Sequence, residues 1–176
     1  EALNYYFKGL AARQKAGDGT GITGSLTNIG LVYAAMKDFD KALEFYTKAA
    51  MMVERYQDKL TASTVYNGIG VCYNEKKKYK VAEIYYRKAL LPAIGNSDQY
   101  ALSLNQNALG ENFQKMGIID SALYYYGLAL ATSRAINSPA DIAIVMSNQA
   151  SVAVLSKDYS HALQLNLEAE KIVLEL

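Results

Sequence analysis

The sequence predicts an all-α fold, an α-solenoid in which about nine antiparallel helices stack as pairs into a right-handed superhelix. Three observations predict it. A pattern of small residues recurs every 40 residues without insertion, apolar residues between these markers follow helical spacing, and capping residues recur in the same register. The 176 residues are 51% hydrophobic and 20% charged, a composition typical of a folded protein.

The repeat is clearest at an alanine of the second helix in each pair. This marker occurs at Ala2, Ala42, Ala82, Ala122 and Ala162. A small residue stands twelve positions before it, at Gly30, Gly70, Gly110 and Ala150. Glycine inside a helix costs about 1 kcal/mol relative to alanine. We therefore expect these positions to be crossing points, where the helix that carries the alanine approaches closely.

Each repeat is predicted to contain two helices, and an unpaired second helix precedes them. The predicted helices cover residues 1–16, 19–36, 39–55, 59–76, 79–94, 99–116, 119–135, 139–156 and 159–175. Asp18, Asp58, Asp98 and Ser138 stand just before the first helices as N-caps, and Pro139 follows at a first helical position. Pro92 predicts a kink or an early stop of its helix.

These helices predict one domain over residues 1–176. It consists of a half repeat at 1–16 and four repeats at about 17–56, 57–96, 97–136 and 137–176. The chain begins without methionine, which predicts a segment of a longer protein. The last helix carries an apolar set, Leu163, Leu165, Leu167, Ile172, Val173, Leu174 and Leu176, which predicts homodimers through exposed solenoid ends.

The composition argues against most kinds of chemistry. Cys72 is the only cysteine and His161 the only histidine, so we expect no metal site, no cofactor and no enzyme activity. Glu75 and Glu111 are the only acidic candidates for a catalytic site. The formal net charge of +1 predicts no nucleic-acid partner, and no apolar run predicts a membrane span. The compartment is left open between cytoplasm, which we favour, and periplasm.

The repeat resembles the tetratricopeptide repeat family. Its Trp-x-x-Leu-Gly-x-x-Tyr and Ala-x-x-x-Phe pattern is similar to Leu26-x-x-Ile29-Gly30-x-x-Tyr33 followed by Ala42-x-x-x-Tyr46. The chain departs from that pattern in lacking tryptophan and the closing proline, and its unit is 40 residues rather than 34. The resemblance implies a scaffold that binds a protein or peptide in a concave groove, as in the sensor or interaction regions of bacterial signalling proteins.

The first helices are expected to line that groove. Four of their residues recur in register and can hydrogen-bond an extended peptide backbone: Thr27, Asn67, Asn107 and Ser147. Asn74, Glu111, Gln114 and Lys115 lie nearby and are expected to add selectivity. The alternative interpretation of this row is an ordinary solvated face. A structural role in self-assembly or coupling, without a groove ligand, is the alternative function.

Other conspicuous residues have simpler explanations. The pairs Tyr5-Tyr6, Tyr85-Tyr86 and Tyr125-Tyr126 fall at core spacing on second helices, which favours packing over stacking on bases or sugars. The basic turn at residues 76–80 is interpreted as a solvated loop rather than a phosphate site. Cys72 is interpreted as a small packing residue.

Overall fold

The computed structural model describes residues 2–174, and every regular element in that range is an α-helix. The helices are α1 (Ala2–Ala16), α2 (Gly19–Ala35), α3 (Phe39–Tyr56), α4 (Lys59–Glu75), α5 (Tyr79–Gly95), α6 (Gln99–Lys115), α7 (Ile119–Ala135), α8 (Pro139–Leu155) and α9 (Tyr159–Leu174). The predicted fold class is confirmed, and the predicted bounds agree to within one residue. Of the positions predicted to be helical, residues 1 and 175 lie outside the described range, as does Leu176 of the apolar set.

The helices form two compact units, Glu1–Asn96 and Ser97–Leu176. In the first unit each helix packs against the next one, and α4 also packs against α2. In the second unit α6 packs against α7, α7 against α8 and α8 against α9, while α8 also contacts α6. Within the first unit α4 therefore packs against its own partner and against the preceding pair, and within the second unit α8 does the same. That the four repeats function as one domain stays a prediction.

The repeated glycines lie at crossing points, but they make room for a tyrosine ring rather than for the marker alanine. A Cβ atom at Gly30 would lie 2.9 Å from Cδ1 of Tyr46. The same atom at Gly70 would lie 2.6 Å from Cδ1 of Tyr86. At Gly110 it would lie 2.5 Å from Cδ1 of Tyr126, which is fully buried. The marker alanines of these repeats are also fully buried, so each glycine packs against the helix that carries the alanine.

Stacked aromatic pairs join the two helices of the first three repeats. Tyr33 stacks on Phe45 with ring centroids 5.5 Å apart, and Tyr73 stacks on Tyr85 at 5.6 Å. In the second unit, Phe113 stacks on Tyr125 at 5.5 Å. These pairs are 40 residues apart, so the aromatic residues build the repeat itself, as the packing interpretation predicted. Tyr5 differs, being 75% exposed.

Three of the four predicted N-caps are confirmed. The Asp18 carboxylate accepts a hydrogen bond from the backbone N–H of Gly21, and Asp58 and Asp98 accept the equivalent bonds in α4 and α6. Ser138 is the exception, because its hydroxyl donates to the Asp141 carboxylate at 2.6 Å instead of accepting from the backbone. Asp141 lies in the first turn, where a carboxylate also interacts favourably with the helix dipole.

The predicted early stop at Pro92 is wrong. Helix α5 continues past Pro92 to Gly95. The proline removes a single backbone donor close to the helix end, and the following turn closes because the N–H of Asn96 donates to the Pro92 carbonyl at 2.9 Å.

The joints between helices share a left-handed residue at a spacing of 20. Positive φ angles occur at Gly17, Lys37, Gln57, Lys77, Ser97, Gly117, Asn137 and Lys157. Glycine adopts this conformation without strain, yet only two of these positions hold it. Every connection between the described helices therefore has two or three residues and contains one left-handed residue.

Candidate peptide-binding surface

Six of the eight predicted groove residues are exposed or half-buried on the first helices, and the other two are buried. In the first unit the first helices are α2 and α4, and in the second unit they are α6 and α8. Leu31, Leu60, Leu104 and Ile144 on these helices are all about half exposed or more. Glu111, Lys115 and Ser147 are also exposed, whereas Asn67, Asn107 and Gln114 are half-buried. These residues are therefore accessible to solvent, and that they line a peptide-binding groove stays a prediction.

Thr27 does not fit the predicted row. It is 7% exposed, and its hydroxyl donates to the Thr23 carbonyl at 2.8 Å within α2. The expectation that this hydroxyl faces the groove is wrong, because the helix packing covers the side chain and its own backbone satisfies it. Asn74 is also buried, and both Asn67 and Asn74 already interact with neighbouring groups.

The second unit brings most of the predicted polar residues together. Glu111, Gln114 and Lys115 of α6 line a cavity of about 330 Å³ with three residues of α8, Asn148, Ser151 and Leu155. The amide of Asn148 donates to the Asn107 amide oxygen at 2.9 Å and so links the two helices. We call Asn107, Glu111, Gln114, Lys115, Asn148 and Ser151 the α6/α8 polar surface.

Neighbouring residues hold two members of this surface in place. The buried Tyr126 hydroxyl donates to the Gln114 amide oxygen at 2.7 Å, which orients the Gln114 side chain. The Ser151 hydroxyl donates to the carbonyl of Ser147 one turn earlier at 3.1 Å. Burial raises the pKa of the Tyr126 phenol, with a smaller contribution from the Glu111 carboxylate. The phenol therefore stays neutral and remains a hydrogen-bond donor at neutral pH.

The α6/α8 polar surface combines donors and acceptors of different charge. Glu111 and Lys115 are four residues apart on α6, so both project from one face of that helix. Amide groups at Asn107 and Asn148 lie one turn away and can both donate and accept. Such a surface is suited to a polar, extended segment that carries charges of both signs. Within residues 2–174, no group of three His, Cys, Asp or Glu side chains has the arrangement of a metal site.

Sequence reasoning missed Asn148. The equivalent positions hold Asn28, Gly68 and Ala108, so the repeat pattern gave no signal for this residue. Its importance comes from its partner Asn107 on the preceding first helix, which is 41 positions away in the chain.

The remaining conspicuous residues agree with the simpler interpretations. In the basic turn, Lys76 forms an ion pair with Asp40 of the preceding repeat. Cys72 is fully buried, and burial raises the pKa of its thiol to about 11, so the thiol is protonated and unreactive at neutral pH. His161 is exposed, and its backbone N–H donates a hydrogen bond to the Asp158 carboxylate at 3.1 Å. No helix among the described residues combines the length and apolar character that a membrane span requires.

Comparisons with known proteins agree with this architecture. Residues 21–90 match the tetratricopeptide repeat family. No curated protein matches the sequence. Among solved structures, BtubC (BKLC) from P. vanneervenii is similar with a TM-score of 0.80 and 21% identity, over 94% of this chain and 77% of that one.

Two further structures show the same fold. Aspartyl phosphate phosphatase F from Bacillus subtilis has a TM-score of 0.73 and 15% identity, and the match covers 97% of this chain but only 54% of the phosphatase. MamA has a TM-score of 0.66 and 15% identity, over 93% of this chain and 94% of MamA. At these identities the likeness concerns the fold alone. Residues 21–90 thus match the tetratricopeptide repeat, and helix pairs of the same kind continue through residues 2–174, as in these solved structures.

Proposed function

We propose that the chain is a protein-interaction module that binds a peptide or protein segment on the α6/α8 polar surface. The observation that carries this proposal is the convergence of Glu111, Gln114 and Lys115 with Asn148 and Ser151 around one cavity. Glu111, Lys115 and Ser151 are exposed, so they contribute little to the core. Their arrangement suits a bound segment that offers several polar groups along its length.

In this proposal the asparagines hydrogen-bond the main chain of the bound segment. The Asn107 side-chain oxygen accepts a hydrogen bond from the Asn148 amide nitrogen. The Asn107 amide nitrogen can still donate, and the Asn148 side-chain oxygen can still accept, other hydrogen bonds. A bound segment pairs its main-chain N–H and C=O groups with them, and Ser147 extends the contact along α8.

The biological setting belongs to the same proposal. A scaffold of this kind acts as the sensor or interaction region of a larger regulatory protein, and a bacterial signalling protein is the setting that we favour. The fold likeness to a phosphatase of Bacillus subtilis, of which this chain spans about half the length, supports that setting. The module itself is expected to bind and not to catalyse.

Substitutions on the α6/α8 polar surface are expected to weaken binding without unfolding the protein. A peptide selected from a random display library against the intact chain serves as the probe. A hydrogen bond contributes about 0.5 to 1.5 kcal/mol net, so Asn107→Ala is expected to lower affinity roughly threefold to tenfold. Charge reversal by Glu111→Lys or Lys115→Glu is expected to lower it by about tenfold or more. Isothermal titration of each variant measures the change.

The matched control is Lys157→Ala, a lysine of the same unit at the exposed joint before α9. It is expected to bind like the original chain. A second control, Lys77→Ala with Lys78→Ala, tests the basic turn. Full binding by the three surface variants, together with loss of binding in the turn variant, would move the site to that turn and refute the proposal.

Self-association is a second candidate function, and one observation favours it. Tyr159, Leu163 and Leu167 are spaced four residues apart on α9 and are 64%, 61% and 54% exposed. They form a single apolar stripe on that helix, and a shallow depression of about 400 Å³ lies beside Leu163 and Leu167. A stripe of this kind is stabilised when a second copy covers it.

Removal of the stripe is expected to abolish self-association. Leu163→Lys combined with Leu167→Lys places charges in the contact, so light scattering at high concentration is expected to show dimers for the original chain and monomers for the variant. His161→Lys, at an exposed position off the stripe, is the control and is expected to remain dimeric. A monomer at every concentration of the original chain would contradict this function.

A further inference from the structure

The cavity of the α6/α8 polar surface contains one carboxylate whose charge no described residue balances. Glu111 is exposed and lines the cavity, and the ion pairs within residues 2–174 all join other residues. Lys115 lies one turn away on α6, but it already interacts with a neighbouring group and forms no ion pair with Glu111. The Glu111 carboxylate therefore lines the cavity as an unpaired anion.

The negative charge at this position is not a general feature of the repeat. Leu31 and Val71 occupy the equivalent positions of the first two repeats, and Ser151 occupies that of the fourth. Leu31, Val71 and Ser151 are all exposed, as Glu111 is. The helix pair therefore forms without a charge at this position, and the carboxylate is a particular feature of the α6/α8 cavity.

Hydrogen bonding within the α6/α8 polar surface leaves acceptors on both walls of the cavity. The Ser151 hydroxyl donates its only hydrogen to the Ser147 carbonyl, so its oxygen can only accept from a ligand. The Gln114 amide oxygen accepts from the Tyr126 hydroxyl, and its amide nitrogen remains a donor that suits a main-chain carbonyl. A ligand side chain that reaches both the Glu111 carboxylate on α6 and the Ser151 oxygen on α8 must therefore donate.

The cavity also has an apolar wall, and its size limits what can enter. Leu155 of α8 lines it and is 61% exposed. The volume of about 330 Å³ is smaller than one turn of an α-helix with its side chains, which is roughly 400 Å³ for a cylinder about 10 Å wide and about 5.4 Å long. A single long side chain fits this space better than a helix does. An apolar stem can lie along Leu155 while a cationic head reaches the carboxylate.

We propose that the cavity binds an arginine side chain of the segment that the α6/α8 polar surface recognises, with the guanidinium at the Glu111 carboxylate. This inference rests on the proposed function and extends it from the main chain of the segment to one of its side chains. A guanidinium has five N–H donors and no acceptor, and it pairs with a carboxylate through two parallel hydrogen bonds. It is less strongly hydrated than an ammonium group, which favours arginine over lysine beside Leu155.

A parallel peptide selection tests this inference on the intact chain. A random display library is selected once against the original chain and once against the Glu111→Gln variant. Peptides that bind the α6/α8 polar surface are recognised because Asn107→Ala weakens their binding. Among these, arginine is expected to be enriched at one position in the peptides selected on the original chain and not in those selected on the variant.

Replacement of that arginine by citrulline keeps the shape of the side chain and removes its charge. In isothermal titration the citrulline peptide is expected to bind the original chain roughly tenfold more weakly than the arginine peptide. The Glu111→Gln variant is expected to bind the two peptides about equally. Asp120→Asn, which removes another exposed carboxylate of the second unit outside the cavity, is the matched control and is expected to keep the tenfold difference. Circular dichroism checks that each variant is folded.

The possible outcomes separate this inference from the proposed function. Peptides that respond to Asn107→Ala but carry no enriched arginine would overturn the inference and leave the proposed function standing. The same conclusion follows if citrulline weakens binding equally on the original chain and on Glu111→Gln. A selection in which no peptide responds to Asn107→Ala would refute the proposed function and this inference together.

Discussion

Replacement of Gly70 by leucine is expected to unfold the first unit or to loosen it severely. A single Cβ at this position would already lie 2.6 Å from the Tyr86 ring, and Tyr86 is buried, at 3% exposed. Overpacking of a core commonly costs about 1 to 3 kcal/mol, and occasionally more. Because the obstacle is a buried ring at a helix crossing, we expect a loss at or above the upper end. Thermal unfolding followed by circular dichroism measures it.

The matched control for this prediction is Gly24→Ala. Gly24 also lies within a first helix, but a Cβ there would have no neighbour within 4 Å. Alanine has the higher helix propensity, by about 1 kcal/mol, so this variant is expected to be as stable as the original chain or more stable. Equal shifts of the melting temperature in the two variants would show that the crossing faces have been assigned wrongly.

Truncation of Tyr126 to alanine is expected to destabilise the second unit by about 3 to 5 kcal/mol, the range for loss of a large buried ring. Tyr126 is fully buried, and it fills the space in front of Gly110. Loss of its hydroxyl also releases Gln114 of the α6/α8 polar surface. Chemical denaturation measures the free energy of unfolding, and the peptide titration described above measures the effect on binding.

Two variants divide this effect into its parts. Tyr126→Phe keeps the ring and removes only the hydrogen bond to Gln114, so it is expected to cost about 1 kcal/mol. Tyr124→Ala removes a neighbouring ring that is 62% exposed, and it is expected to change stability by a few tenths of a kcal/mol up to about 1 kcal/mol. A loss at Tyr124 as large as that at Tyr126 would contradict the assignment of Tyr126 as the core residue.

The helices could be predicted from the sequence because several independent signals coincide in each repeat. Asp18, Asp58 and Asp98 mark helix starts through a bond that is local in the chain, and the marker alanines fix the buried face. Local signals of this kind do not depend on what the rest of the chain does. Agreement over many repeats then removes the ambiguity that a single helix would have.

The candidate site was harder to predict because its side chains depend on distant neighbours. Helix periodicity places Thr27 and Asn107 on equivalent faces, yet the first is covered by packing and the second is half-buried and bonded to Asn148. Ser138 has the residue type of a cap, but the nearby Asp141 takes its hydroxyl. Periodicity gives the direction of a side chain, whereas its availability is determined by the residues on the next helix.

The restriction of packing to nearby helices has a consequence for how the chain folds. In each unit, the described helices pack only against helices one or two places away in chain order. Native contacts between residues close in sequence lower the entropy lost in forming the transition state, so topologies of this type fold quickly. Each repeat needs only its immediate neighbour to complete its core, which allows structure to begin at more than one repeat and to grow along the chain. Early folding is therefore expected to be limited by the docking of successive helix pairs rather than by a search for distant partners.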